Sequence, residues 1–142
     1  MQTYQLAEKA VLEYFNSSKD CYAARFTDTH DINSQLRRFR TIGSPMVYAH
    51  RNPSDFIVVE RGETYFAEAK STENIKGVSS SLFDEQKGER TRILRAGGKY
   101  FYFVYSFVRA RWYKIPGAVI AEKATRTWEE LAPYTVRYLK GL

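Results

Sequence analysis

Apolar residues recur at helical spacing near the start of the chain, at Leu6, Ala7, Ala10, Val11, Tyr14 and Phe15, and predict a helix over 3–16 with this stripe turned inward. Asn16-Ser17-Ser18 ends it. A short strand is expected over 21–27, and another over 46–49 after the break at Gly43-Ser44-Pro45. Two apolar runs, Phe56-Ile57-Val58-Val59 and Thr64-Tyr65-Phe66-Ala67, flank Arg61-Gly62 and read as core strands joined by a tight turn. Ser81-Leu82-Phe83-Asp84 has the spacing of a capping box, with Asp84 in the place of the usual Glu or Gln. It predicts a helix over 82–96, stopped by Gly97-Gly98, with Phe83, Ile93 and Leu94 toward the core. Strands over 99–107 and 111–115 and a short closing helix over 128–131 complete an α/β pattern: a mixed central β-sheet flanked by helices.

The turn at Arg61-Gly62 sets a register with a chemical consequence. Asp55 falls directly across from Glu68 on one face of the hairpin, with β-carbons about 5 Å apart. Two opposed carboxylates weaken a merely structural hairpin, so the pairing makes most sense around a divalent cation with oxygen ligands. Lys70, two residues past Glu68, points the same way. Pro53-Ser54 marks a bend that can aim Asp55 into a cleft, and Gln86 lies in the first turns of the next expected helix. An oxygen-ligand metal site beside a cation suits hydrolysis of phosphodiesters.

Bulk properties agree with a polyanionic partner. The 142 residues are expected to form one domain, with a core large enough to need no disulfide or structural metal. The formal charge is +6, from 22 basic and 16 acidic residues, and the basic residues are interspersed with 11 tyrosines and 9 phenylalanines. Positive charge is dense over 33–51, which carries Arg37, Arg38, Arg40 and Arg51. Cys21 is the only cysteine, which excludes an internal disulfide and any cysteine-based zinc or iron–sulfur site. His30 and His50 are too isolated for a histidine metal site. No apolar stretch reaches membrane-span length and no signal-peptide core is present, so a cytoplasmic setting with no membrane partner is expected.

The residues from about 54 to 116 resemble the PD-(D/E)xK nuclease superfamily, with Asp55 as its acidic residue and Glu68-Ala69-Lys70 as its ExK. Within it the chain is most similar to the RecU-like Holliday-junction resolvases and to phage and archaeal junction resolvases, through Ser54-Asp55, Glu68-Ala69-Lys70, the serines at 79–81 and Gln86. The literal Pro-Asp dipeptide is absent because Ser54 intervenes, and the basic projection that the resemblance implies ahead of the acidic motif, for which 33–51 with Arg37, Arg38, Arg40 and Arg51 is the candidate, is short. The resemblance implies a restriction-endonuclease-like core and a metal-dependent endodeoxyribonuclease that nicks four-way junctions symmetrically as a homodimer, leaving a 3′-hydroxyl and a 5′-phosphate. It implies Mg²⁺, with Mn²⁺ as a substitute and no small-molecule cofactor. Asp55, Glu68, Lys70 and Gln86 would be catalytic, and Asp55, Glu68 and the Ala69 carbonyl would hold the ion. Arg37, Arg38, Arg40, Arg51, Ser54 and Lys76 would contact branched DNA, and Glu8 or Glu13 of the first helix is a further carboxylate for the site. Other endonucleases of the superfamily, of flap, repair or restriction type, and a non-catalytic DNA-binding module are the alternatives.

Overall fold

The computed structural model describes residues 2–26 and 52–142. The basic segment with Arg37, Arg38, Arg40 and Arg51, and the strand expected over 46–49, lie outside the described residues. Helix α1 (Thr3–Ser17) follows its apolar periodicity and buries Ala7, Val11 and Phe15, whereas Leu6 at the fringe of the stripe is exposed. Its end is set as the serines suggest, because the Ser17 and Ser18 hydroxyls both donate to the Tyr14 carbonyl, at 3.0 and 2.9 Å. Strand β1 (Cys21–Arg25) then pairs antiparallel with β2 (Phe56–Glu60), which pairs antiparallel with β3 (Glu63–Thr72).

The β2–β3 hairpin turns on Arg61 and Gly62, both in the left-handed region with φ of 48° and 84°. That backbone twist matches the twist of the flanking strands and holds the register Phe56↔Ala67 through Glu60↔Glu63. Beyond β3 come β4 (Gly77–Val78), a 3₁₀ turn (Ser80–Phe83), helix α2 (Lys87–Arg95), β5 (Tyr100–Ser106) and β6 (Arg111–Pro116). The chain closes with α3 (Gly117–Glu122), β7 (Arg126–Thr127), α4 (Trp128–Leu131), a second 3₁₀ turn (Ala132–Tyr134) and β8 (Thr135–Val136). Among the described residues the main sheet has the order β1-β2-β3-β5-β6-β8, with β3 and β5 parallel and every other pair antiparallel. The fold is therefore mixed α/β, as the pattern predicts.

The helix expected over 82–96 is a correction: it is split into the 3₁₀ turn and α2, with Asp84, Glu85 and Gln86 between them. The capping box does not form. Aspartate is one methylene shorter than the glutamate of that motif, and the Ser81 hydroxyl instead meets Ser79 Oγ at 3.0 Å. Gln86 thereby stands at the N-cap position of α2, with no capping bond from its side chain, instead of inside a helix.

Alternation along β3 assigns its two faces. Tyr65, Ala67 and Ala69 join Phe56, Val58 and Phe103 in a core beneath α1. Phe66 packs on the opposite face with Tyr100, Tyr102, Val104, Tyr113, Ile115 and Trp128, and Glu68 and Lys70 share that face by the strand period of two. Trp128 stacks on Tyr113 with centroids 4.9 Å apart, and its indole N–H donates to the Asn74 carbonyl at 3.1 Å. The loop that follows Lys70 is thus tied to the second core.

The β4–β7 pair holds this loop, and it has no room for a side chain at Gly77. A Cβ there would lie 1.9 Å from the Arg126 carbonyl oxygen and 2.7 Å from Thr127 Cα, both backbone atoms. Gly77→Ala is expected to cost about 3 kcal/mol of unfolding free energy, since neither neighbour can rotate away. An unchanged urea midpoint would show that β4 and β7 do not pair in solution.

Candidate active site

Asp55 sits one residue before β2, so the hairpin register extended by one step sets it opposite Glu68, as the sequence predicts. Its placement rests on three tethers. Tyr100 donates from its hydroxyl to the Pro53 carbonyl at 2.9 Å, and Ser54 Oγ donates to the Phe56 carbonyl at 2.7 Å. Asp55 Oδ2 itself accepts the Ala69 N–H at 2.9 Å. Ser54, expected to touch DNA, is only 2% exposed and is corrected to an internal strut, its hydroxyl spent on shaping the bend.

Glu68 is 3% exposed and has no water shell to stabilise its charge. Burial first, and the facing Asp55 carboxylate second, push its pKa up to about 8, with Lys70 opposing the rise. Asp55 is raised as well, chiefly by burial, against the pull of the Ala69 N–H and the Lys70 charge. Two carboxyls that resist ionisation together are poised to take up a cation. Lys70 Nζ lies 3.4 Å from Glu68 Oε2 and 3.9 Å from Glu85 Oε2.

The Ala69 carbonyl shares this corner for a backbone reason. The Phe66 N–H bonds the Lys99 carbonyl and the Thr72 carbonyl accepts from the Phe107 N–H, so residues 66, 68, 70 and 72 spend their backbone groups on the β5 side. Ala69 then directs both N–H and C=O to the β2 side, where the ladder has already ended at Phe56↔Ala67 and Asp55 occupies the gap. Asp55, Glu68 and this carbonyl make an all-oxygen donor set suited to a hard divalent cation. Among the described residues no group of three His, Cys, Asp or Glu comes together as a metal cluster, so further protein ligands from side chains are not assembled here.

The remaining expected residues are dispersed. Gln86 approaches the site through its neighbour Glu85, which meets Lys70, and its Oε1 is fully enclosed. Glu8 is bound to Arg25 at 3.0 Å, and Arg25 in turn lowers the Asp55 pKa, so Glu8 bears on the carboxylate pair through that arginine. Glu13 is on the exposed side of α1, 3.8 Å from Lys9, and stays outside the cluster. Lys76 is exposed on the turn after β3. Four further residues lie near the site that the sequence does not assign to it: Glu85, Arg90, Tyr100 and Tyr102. Tyr102 pairs with Glu68 in the parallel register and accepts from Arg90 at 3.1 Å. Arg90 had a legible signal, since it follows Gln86 by one helical turn; the tyrosines had none, because alternating aromatics in a strand look alike whether they pack or hydrogen-bond.

No family model and no curated protein matches this chain. No helix among the described residues is long and apolar enough to cross a membrane.

Proposed function

We propose that the chain is a Mg²⁺-dependent, structure-specific DNA endonuclease that resolves four-way junctions by paired symmetric nicks. The observation that carries this reading is the facing Asp55–Glu68 pair, with Glu68 buried, the Ala69 N–H donating to Asp55 and the Lys70 ammonium 3.4 Å from Glu68. Asp55, Glu68 and Ala69 would hold Mg²⁺, or Mn²⁺ in its place. When bound, the ion supplies Lewis-acid polarisation of the scissile phosphate and a lowered pKa for an attacking water. Lys70, held by Glu68 and Glu85, orients that water or offsets charge building on the phosphoryl oxygens. Gln86 at the start of α2 directs a phosphate or the nucleophile.

Two symmetric cuts require two such sites at a fixed spacing, and one chain carries one set, so a twofold dimer is the working unit. Nicking assays on four-way, flap and linear DNA, with Mg²⁺ and with EDTA, test the reading. The expected result is Mg²⁺-dependent cutting of the four-way substrate, with paired incisions on a cruciform plasmid giving linear product and little nicked circle. Preference for flap or linear DNA would assign the site to another endonuclease of the same chemistry. Binding with no cutting under any divalent ion would make the chain a DNA-binding module.

A further inference from the structure

Two polar atoms buried behind the site lack hydrogen-bond partners, and they are complementary. Gln86 Oε1 is an acceptor with no donor, and Arg90 Nε is a donor with no acceptor. They are four residues apart at the start of α2, joined already by the backbone bond from Arg90 N–H to the Gln86 carbonyl at 3.0 Å, so their side chains share one helix face. Arg90 is 4% exposed. One of its terminal nitrogens donates to the Tyr102 hydroxyl at 3.1 Å. A guanidinium is expensive to bury on such terms, and a structural role alone would be served more cheaply by an apolar side chain.

We propose that Arg90 is a positioning residue: its Nε–H, which is not in direct hydrogen-bond contact with Gln86 Oε1, holds that oxygen through one bridging water, so that the Gln86 amide NH₂ is turned toward the Asp55–Glu68 pair. One bridging water satisfies both orphans, accepting from Nε–H and donating to Oε1. The amide has two orientations, and which end faces the site decides whether Gln86 donates or accepts there. With Oε1 committed to Arg90, Gln86 is a donor, suited to a phosphate oxygen or to the lone pair of a water. Tyr102 fixes Arg90 in turn, and Tyr102 stands beside Glu68 on the adjoining strand, so the amide is referenced to the same sheet that carries the carboxylates. The target of the donated bond rests on the endonuclease reading, while the Arg90–Gln86 contact does not.

The test has two arms on the full chain. In the first, the side-chain amide of Gln86 is followed by ¹H–¹⁵N NMR without DNA or metal. Wild-type protein should show a pair displaced from free glutamine and slow to exchange, and both Arg90→Met and Arg90→Lys should return it to the free position. Lysine keeps the cation and can still reach Tyr102 but carries a methylene where Nε stands, so it also separates this contact from a mere need for charge and preserves the fold if methionine does not. A wild-type amide at the free position, or one unmoved by Arg90→Lys, overturns the proposal.

In the second arm, nicking by Arg90→Lys should fall roughly tenfold to a hundredfold in kcat with KM little changed, and the same substitution on a Gln86→Ala background should cost less than about twofold. Equal losses on both backgrounds overturn the positioning role. Absence of nicking by the wild type would defeat the endonuclease reading alone, and the NMR arm would still decide the contact.

Discussion

Glu68→Ala is expected to abolish Mg²⁺-dependent nicking, by about a thousandfold or more in kcat, while leaving DNA affinity the same or slightly tighter and the protein at least as stable as wild type at pH 8. The loss follows from the donor set: with Glu68 gone, Asp55 and a backbone carbonyl are what remains of it among the described residues, too few protein ligands to hold a divalent cation in place. Affinity for DNA is preserved because no basic group is removed, and one negative charge is. The stability result distinguishes this residue from an ordinary buried side chain. Glu68 is desolvated, faces a second carboxylate and resists ionisation, so in the metal-free protein its charge works against the fold. Truncating a fully buried apolar residue such as Phe103 or Trp128 should cost about 3–5 kcal/mol instead. Cleavage of a four-way substrate at saturating Mg²⁺, fluorescence anisotropy with labelled DNA and thermal melts in EDTA check the three parts. Near-normal turnover in the variant would remove Glu68 from the chemistry altogether.

The second large effect is on pH. Glu68 is raised from an ordinary 4.5 to about 8 on folding, so between these values the folded chain holds a proton that the unfolded chain has released. Stability of the metal-free protein is therefore full at and below about pH 4.5 as far as this group is concerned, and falls as pH rises toward 8, by at most about 1.4 kcal/mol per unit. A divalent cation reverses the sign of the problem, since it takes the place of that proton. Affinity for Mg²⁺ should climb up to about tenfold per pH unit from 6 to 8 and then level, a gain on the order of a hundredfold across the window. Calorimetric titrations in buffers of different ionisation enthalpy should register about one proton released per ion at pH 7, and Glu68→Gln should flatten the dependence. Melting temperatures in EDTA that rise between pH 5 and 8 with Asp55 and Glu68 intact would contradict the assignment.

The amino-acid sequence by itself determined the hairpin and the facing placement of its two carboxylates. Gly62 permits a tight left-handed turn, the turn dictates register, and register with a period of two puts Asp55, Glu68 and Lys70 on one face. The same local rules determined α1 and its serine stop. They failed at 82–96, where one methylene decides between a capped helix and a 3₁₀ turn, and so they misjudged how Gln86 is presented. Only the tertiary structure decided the rest. The parallel pairing of β3 with β5 brings Tyr102 beside Glu68 across more than thirty intervening residues, and no local pattern specifies a partner at that distance. Burial of Glu68, the tether from Tyr100 to Pro53 and the enclosure of Gln86 and Arg90 depend on which elements cover that face of the sheet. Charge and hydrogen-bonding capacity are properties of residues and can be read along the chain, whereas desolvation is a property of their surroundings and exists only once the layers have packed.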